Sequence, residues 1–235
     1  MAGPASVSLS PMHRHDIFHD EPGGGYPMLW IPAEPGTSPT GGPRTGRAYG
    51  KKGQAMLGMV FTEFVEMVES AFSSELADAM LVAAKLPHGG SYTAVGYYPH
   101  EEIVRLVAAL ARLTGEPAEG LVQAFGRHLL KVFSTAHPAF FASKVNAFDL
   151  LACVDAEIHR EVRKLYPDSQ LPTIEVIGRD AQSITLQYRS PRSMEALALG
   201  LIEGTGLHYG TPLTITQSKA RDADDTTLFH VALTE

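Results

Sequence analysis

Three groups of side chains in this 235-residue chain have the types and spacing to do chemistry. The first is His159, set among Phe148, Leu151, Ala152, Ile158, Val162 and Leu165 in the run from Asn146 to Pro167. That three-and-four spacing is the buried face of one amphipathic helix. An imidazole there must find a partner, either a hydrogen bond in the core or a metal ion, because leaving it unpaired costs free energy. The second is His128, between Phe125 and Val132 on another apolar helical face. Periodicity alone does not separate the two, and a histidine on such a face is more often a hydrogen-bonded core residue. The third is Tyr188-Arg189-Ser190-Pro191-Arg192 at the end of a strand. Residues i, i+2 and i+4 of a strand share a face, so Tyr188, Ser190 and Arg192 point together. Two hydroxyls and a guanidinium make a carboxylate-binding set. The bland alternative is an ordinary strand end.

The elements that must position these groups fall into two blocks. Val60, Phe61, Phe64, Val65, Val68 and Phe72 sit at helical spacing, and a second helix is expected over 74–85. Residues 91–99 read as a loop or a short irregular piece. Pro99 leads into a helix over 100–114 closed by Gly115, and another runs from Pro117 to Thr135. Past Pro172 the period changes to two: Ile174 and Val176, then Ile184, Leu186 and Tyr188, with Gly178-Arg179-Asp180 as the turn. A helix over 194–209 follows. Leu213 and Ile215 then pair with Leu228 and Val231. The expected class is α+β: a helical N-terminal part, then a small antiparallel sheet with one inserted helix.

Composition narrows the partners. A hydrophobic fraction of 44% supports a real core, and a net charge of −7 argues against nucleic acid. One cysteine, Cys153, excludes an internal disulfide, thiolate zinc sites and iron–sulfur clusters within the chain, and fits a reducing cytoplasm. No apolar run reaches the ~18 residues of a membrane span. Residues 1–55, rich in Pro and Gly, read as a disordered extension, with His13, His15 and His19 as a weak metal group and Phe18, Trp30 and Ile31 able to dock on the domain 56–235.

The order of these segments resembles the haem-nitric oxide/oxygen-binding (H-NOX) family, which includes the sensor domain of soluble guanylate cyclases. The likeness covers about Met56 to Leu233. It rests on Met56-Leu57-Gly58-Met59-Val60-Phe61, Tyr92–Pro99, Phe125-Gly126-Arg127, Asp155-x-x-x-His159, Lys164-Leu165-Tyr166-Pro167 and the Y-x-S-x-R signature of 188–192. The resemblance implies haem b buried between the two blocks, with His159 as proximal iron ligand and Tyr188, Ser190 and Arg192 on its propionates. It implies Pro172 packing on the haem and a distal pocket of Val60, Phe64, Leu129, Phe133, Leu197 and Leu201, with His128 beside that wall as a non-ligand. Oxygen-binding members carry a distal tyrosine where this chain has Leu197. The expected function is therefore a nitric oxide sensor, also open to carbon monoxide, that discriminates against oxygen. It would not be an enzyme. Release of His159 and relaxation of the haem would carry the signal to a separate histidine kinase or diguanylate cyclase. An oxygen-binding member and a haem-free module of related fold are the alternatives.

Overall fold

A computed structural model describes residues 55–167, 169–220 and 225–234. The extension, with its histidine group, Trp30 and Ile31, lies outside the described residues except for Ala55.

Five helices come first: α1 (Gly58–Ala71), α2 (Ser74–Ala84), α3 (His100–Thr114), α4 (Ala118–Ala136) and the short α5 (Pro138–Ala142). Local chemistry fixes their ends. The Ser73 hydroxyl accepts from the Leu76 amide to start α2, at 3.2 Å. Gly115, at φ 77°, ends α3, and Pro138 opens α5 at its first turn. Ahead of α1, β1 (Ala55–Leu57) pairs antiparallel with β2 (Tyr97–Pro99). Residues 91–96 are loop as expected, and the ribbon takes up only the last three residues of that stretch. Its three-residue strands are too short to show a period. Phe61, Phe64, Met67, Met80, Leu106, Leu110, Phe125 and Leu129 form the core of this half.

The second half begins with the helix expected over 146–167, which is not one α-helix. It is α6 (Ala147–Cys153), a six-residue π-helical turn (Val154–His159) and α7 (Arg160–Leu165). The Asn146 side chain caps α6 through the Asp149 amide at 3.0 Å. A four-stranded antiparallel sheet follows, in the order β3 (Thr173–Arg179), β4 (Ser183–Arg189), β6 (Thr226–Leu233), β5 (Leu213–Lys219), with α8 (Glu195–His208) inserted between β4 and β5. Ile184, Leu186 and Tyr188 are the buried positions of β4, as the period of two requires. The β3–β4 turn falls at 180–182, later than expected, because the Asp180 carboxylate accepts from the Gln182 and Ser183 amides and holds the reversal there.

The halves are joined by α4 on α8. Their backbones meet at two glycines: a Cβ on Gly126 would lie 2.5 Å from the Leu197 carbonyl oxygen, and one on Gly200 would run into the Gln123 carbonyl. Only glycine allows that approach. Glu203 of α8 accepts from Gln123 and Arg127 of α4, both at 2.6 Å, across the same contact.

Candidate functional site

A deep cleft lies where α4, α5, α6, the π turn, the sheet and α8 converge. Its empty space, open mouth included, is about 1050 Å³. Leu130 and Phe133 come from α4, Phe140 and Phe141 from α5, and Val154, Ile158 and His159 from the π turn. Pro172, Leu186 and Tyr188 come from the sheet side, and Leu197, Leu201 and Thr205 from α8.

The π turn explains how His159 gets there. One extra residue per turn brings Val154, Ile158 and His159 onto one wall, and such turns concentrate at functional sites. The Asp155 carboxylate, also 3.5 Å from Arg163, lies 3.0 Å from His159 Nδ1. A carboxylate only accepts, so Nδ1 carries the proton and Nε2 keeps its lone pair, the arrangement in which a carboxylate orients a metal-binding histidine. Burial pushes the His159 pKa below the ordinary value, against Asp155 and the Pro172 carbonyl, and so favours the neutral, ligating form.

The clamp residues stand at the end of β4. Tyr188 is buried, and desolvation pushes its phenol up to about 12, with Ser190 acting against that shift. Arg192 donates to the Gln170 carbonyl at 2.6 Å and the Ala55 carbonyl at 2.8 Å, tying together β1 and the loop before Pro172 beside the mouth of the cleft. Arg192 and Ser190 lie past the last residue of β4 and, unlike Tyr188, do not line the cleft. Its Nε is buried with no hydrogen-bond partner among the described residues, as is the Ser169 hydroxyl beside Gln170. Ser193 follows at φ 47°, a left-handed conformation uncommon outside glycine, where the chain reverses from β4 towards α8. Buried donors without acceptors here fit an anionic group that belongs at this mouth.

The structure brings His159, Pro172, Tyr188, Phe133, Leu197 and Leu201 to the cleft. Three residues expected on the distal wall are placed elsewhere. Phe64 is fully buried in the N-terminal core, edge-on to Phe125 at 5.1 Å, and Val60 and Leu129 pack in the same cluster. On α4 the cleft takes Leu130 instead: Leu130, Phe133 and His137 line it, while Leu129, one turn before Phe133, turns to the N-terminal core. Phe133, Leu197 and Leu201 separate the two layers, so Val60, Phe64 and Leu129 lie one layer behind. His128 lies outside the cleft, 3.6 Å from Glu63. Tyr92 donates to Glu102 at 3.1 Å, the Tyr98 hydroxyl accepts from the Thr93 amide at 2.8 Å, and Tyr92, Tyr97 and Tyr98 are absent from the lining.

The sequence reading missed His137. It looked like a helix end beside a proline, yet it lines the cleft, and burial lowers its pKa. The i+4 step from Phe133 was the signal. His100 was missed as well: it is half-buried, and the charge of Arg192 adds to desolvation in lowering its pKa.

Among the described residues no group of three or more His, Cys, Asp or Glu side chains is placed to hold a bare metal ion. The two histidines of the cleft, His159 and His137, can therefore ligate only a metal that brings its other ligands with it. An apolar cleft with a neutral imidazole oriented by Asp155, and with buried donors beside it, fits a haem: His159 would take the iron and Tyr188, Ser190 and Arg192 the propionates.

Comparison with known proteins agrees. The Haem-NO-binding family model matches residues 57–217. The Fe(II) unliganded H-NOX protein from K. algicida is 32% identical, with a TM-score of 0.70 over 77% of this chain and 97% of that one. The H-NOX from Shewanella woodyi, solved in the Fe(II)CO state, is 33% identical, with a TM-score of 0.67 over 76% and 95%. A soluble guanylate cyclase, 89Db, from Drosophila melanogaster is 25% identical over 163 residues, 68% of this chain; the chain spans 24% of that protein's length. No described helix is long and apolar enough to cross a membrane. Sequence, fold and cleft thus converge, and the chain belongs to the H-NOX family of haem-binding gas-sensor domains.

Proposed function

We propose that this domain binds nitric oxide in preference to oxygen at a haem b held by His159, and that it acts as a sensor for a separate effector protein rather than as an enzyme. The haem supplies a ferrous iron with an open side for a diatomic gas. His159 supplies the tether, and Asp155 fixes its ring. Tyr188, Ser190 and Arg192 would hold the propionates, and Pro172, on the sheet side of the cleft, would pack against the haem. Loss of the His159 tether would free the π turn from the cleft wall, and Pro172, between His159 and β3, would move with it. A change of this kind is a switch because the two states differ in named contacts. A histidine kinase or a diguanylate cyclase is the proposed receiver.

The observation that supports the gas preference is the make-up of the α4 and α8 walls. Leu130, Phe133, Leu197, Leu201 and Ile202 carry no polar hydrogen, and the Thr205 hydroxyl donates to the Leu201 carbonyl at 2.9 Å. Oxygen on ferrous iron draws partial negative charge and gains from a donor, whereas nitric oxide gains far less.

The oxygen-binding alternative has one specific support. His137 lines the same cleft, and a neutral imidazole carries one N–H. Exposing the reduced protein to air, and separately to nitric oxide, decides between them. The expected result is a nitric oxide spectrum with the His159 bond lost and no reversible oxygen uptake. Reversible oxygen uptake that disappears in His137→Phe would establish the alternative.

A further inference from the structure

Far from the cleft, the C-terminal end of α2 and one face of α3 enclose a surface groove. Its lining is Ala83, Ala84 and Lys85 from the first, and Arg105, Ala108 and Arg112 from the second. Lys85 caps α2 in a left-handed conformation at φ 50°. Arg105, Ala108 and Arg112 recur at i, i+3 and i+7 and so share one face of α3.

None of the three cations makes an ion pair or a side-chain hydrogen bond among the described residues. Even Glu101, one turn before Arg105 on the same helix, does not pair with it. In a chain with 26 acidic and 19 basic residues, three adjacent unneutralised cations are a local reversal of sign. Arg105 and Arg112 are seven residues apart, ~10 Å along the helix axis. That is too long a reach for one phosphate, and it matches carboxylates spread along a peptide. The three alanines leave room for a backbone to lie between the charges. The exposed Val82 and Val104, each one turn from a lining residue, give it apolar flanks.

We propose that this groove docks an acidic segment of the effector protein, its carboxylates on Lys85, Arg105 and Arg112. The proposal rests on the reading of the domain as a sensor with a separate effector. Charge complementarity of this sort sets encounter rate and choice of partner more than raw affinity.

The test titrates a labelled oligoglutamate peptide into the haem-loaded protein at low and high salt, with oligoglutamine and inorganic phosphate as comparison ligands. The proposal expects saturable, salt-sensitive oligoglutamate binding that falls about tenfold or more in the Arg105→Gln/Arg112→Gln double variant. It expects amide shifts confined to residues 83–85 and 105–112. Unchanged binding in that variant, equal binding of oligoglutamine, or inorganic phosphate binding as tightly as the peptide would each overturn it. Both arginines are exposed, so the variant keeps its core. The haem absorption of the same samples, with and without nitric oxide, reports on the sensor reading separately.

Discussion

At the scale of single residues, the proposed gas preference rests on Leu197. It lines the cleft on α8, beside the Gly126–Gly200 contact that holds α8 against α4. A hydroxyl introduced there would supply the missing donor. Leu197→Tyr is expected to raise oxygen affinity by about 1–2 kcal/mol, roughly five- to thirtyfold, measured by oxygen titration of the reduced protein. No gain would mean that position 197 does not face the gas. Periodicity put His159 and Tyr188 on buried faces but did not separate His159 from His128; the order of the motifs did that, and Ser190 and Arg192 lie past the end of β4, where no period of two holds. The distal wall could not be read so well. Leu129 and Leu130 differ by only 100° of helix rotation, and both are apolar. Which one faces the cleft depends on how α4 packs on α8, and that is fixed by two glycines far apart in sequence.

At the scale of elements, the π turn of 154–159 is the decisive local feature. A strict α-helix through Asn146–Pro167 would carry His159 round relative to α6 by about 100°. Deleting Ala156, an exposed residue of that turn, restores the i→i+4 register. The deletion variant is expected to keep its helical circular dichroism and lose most of its haem; haem content equal to the parent's would show that the turn does not place the ligand. Periodicity located this helix within a residue or two but did not reveal its interruption, since Ile158 and Val162 fit a 3.6 repeat by themselves. The β1–β2 ribbon escaped for a different reason. Arg192, 137 residues away, tethers it through the Ala55 carbonyl, and no local pattern encodes that contact.

At the scale of the whole molecule, three half-buried or buried histidines share one sign of shift. Desolvation lowers the pKa of His100, His137 and His159 below the unfolded value of 6.5. The folded state therefore binds fewer protons than the unfolded one as pH falls below 6.5, and stability is lost through that window and kept above it. Thermal unfolding of the haem-free protein followed from pH 8 to pH 5.5 is expected to show a flat Tm above about pH 7 and a falling one below 6.5; a Tm that rises on acidification would contradict the shifts. The architecture itself, helices and then a sheet with α8 inserted, was legible because the change from a 3.6 to a 2.0 period falls at one proline, Pro172. The cleft between the halves was not, because it belongs to neither pattern. The claim that joins these scales is that His159 is the iron ligand. It is tested by the absorption spectrum of the reduced protein beside that of His159→Ala, each with and without added imidazole. Haem absorption in the parent, its loss in the variant and its recovery with imidazole are predicted. Full haem retention in His159→Ala without imidazole would contradict it.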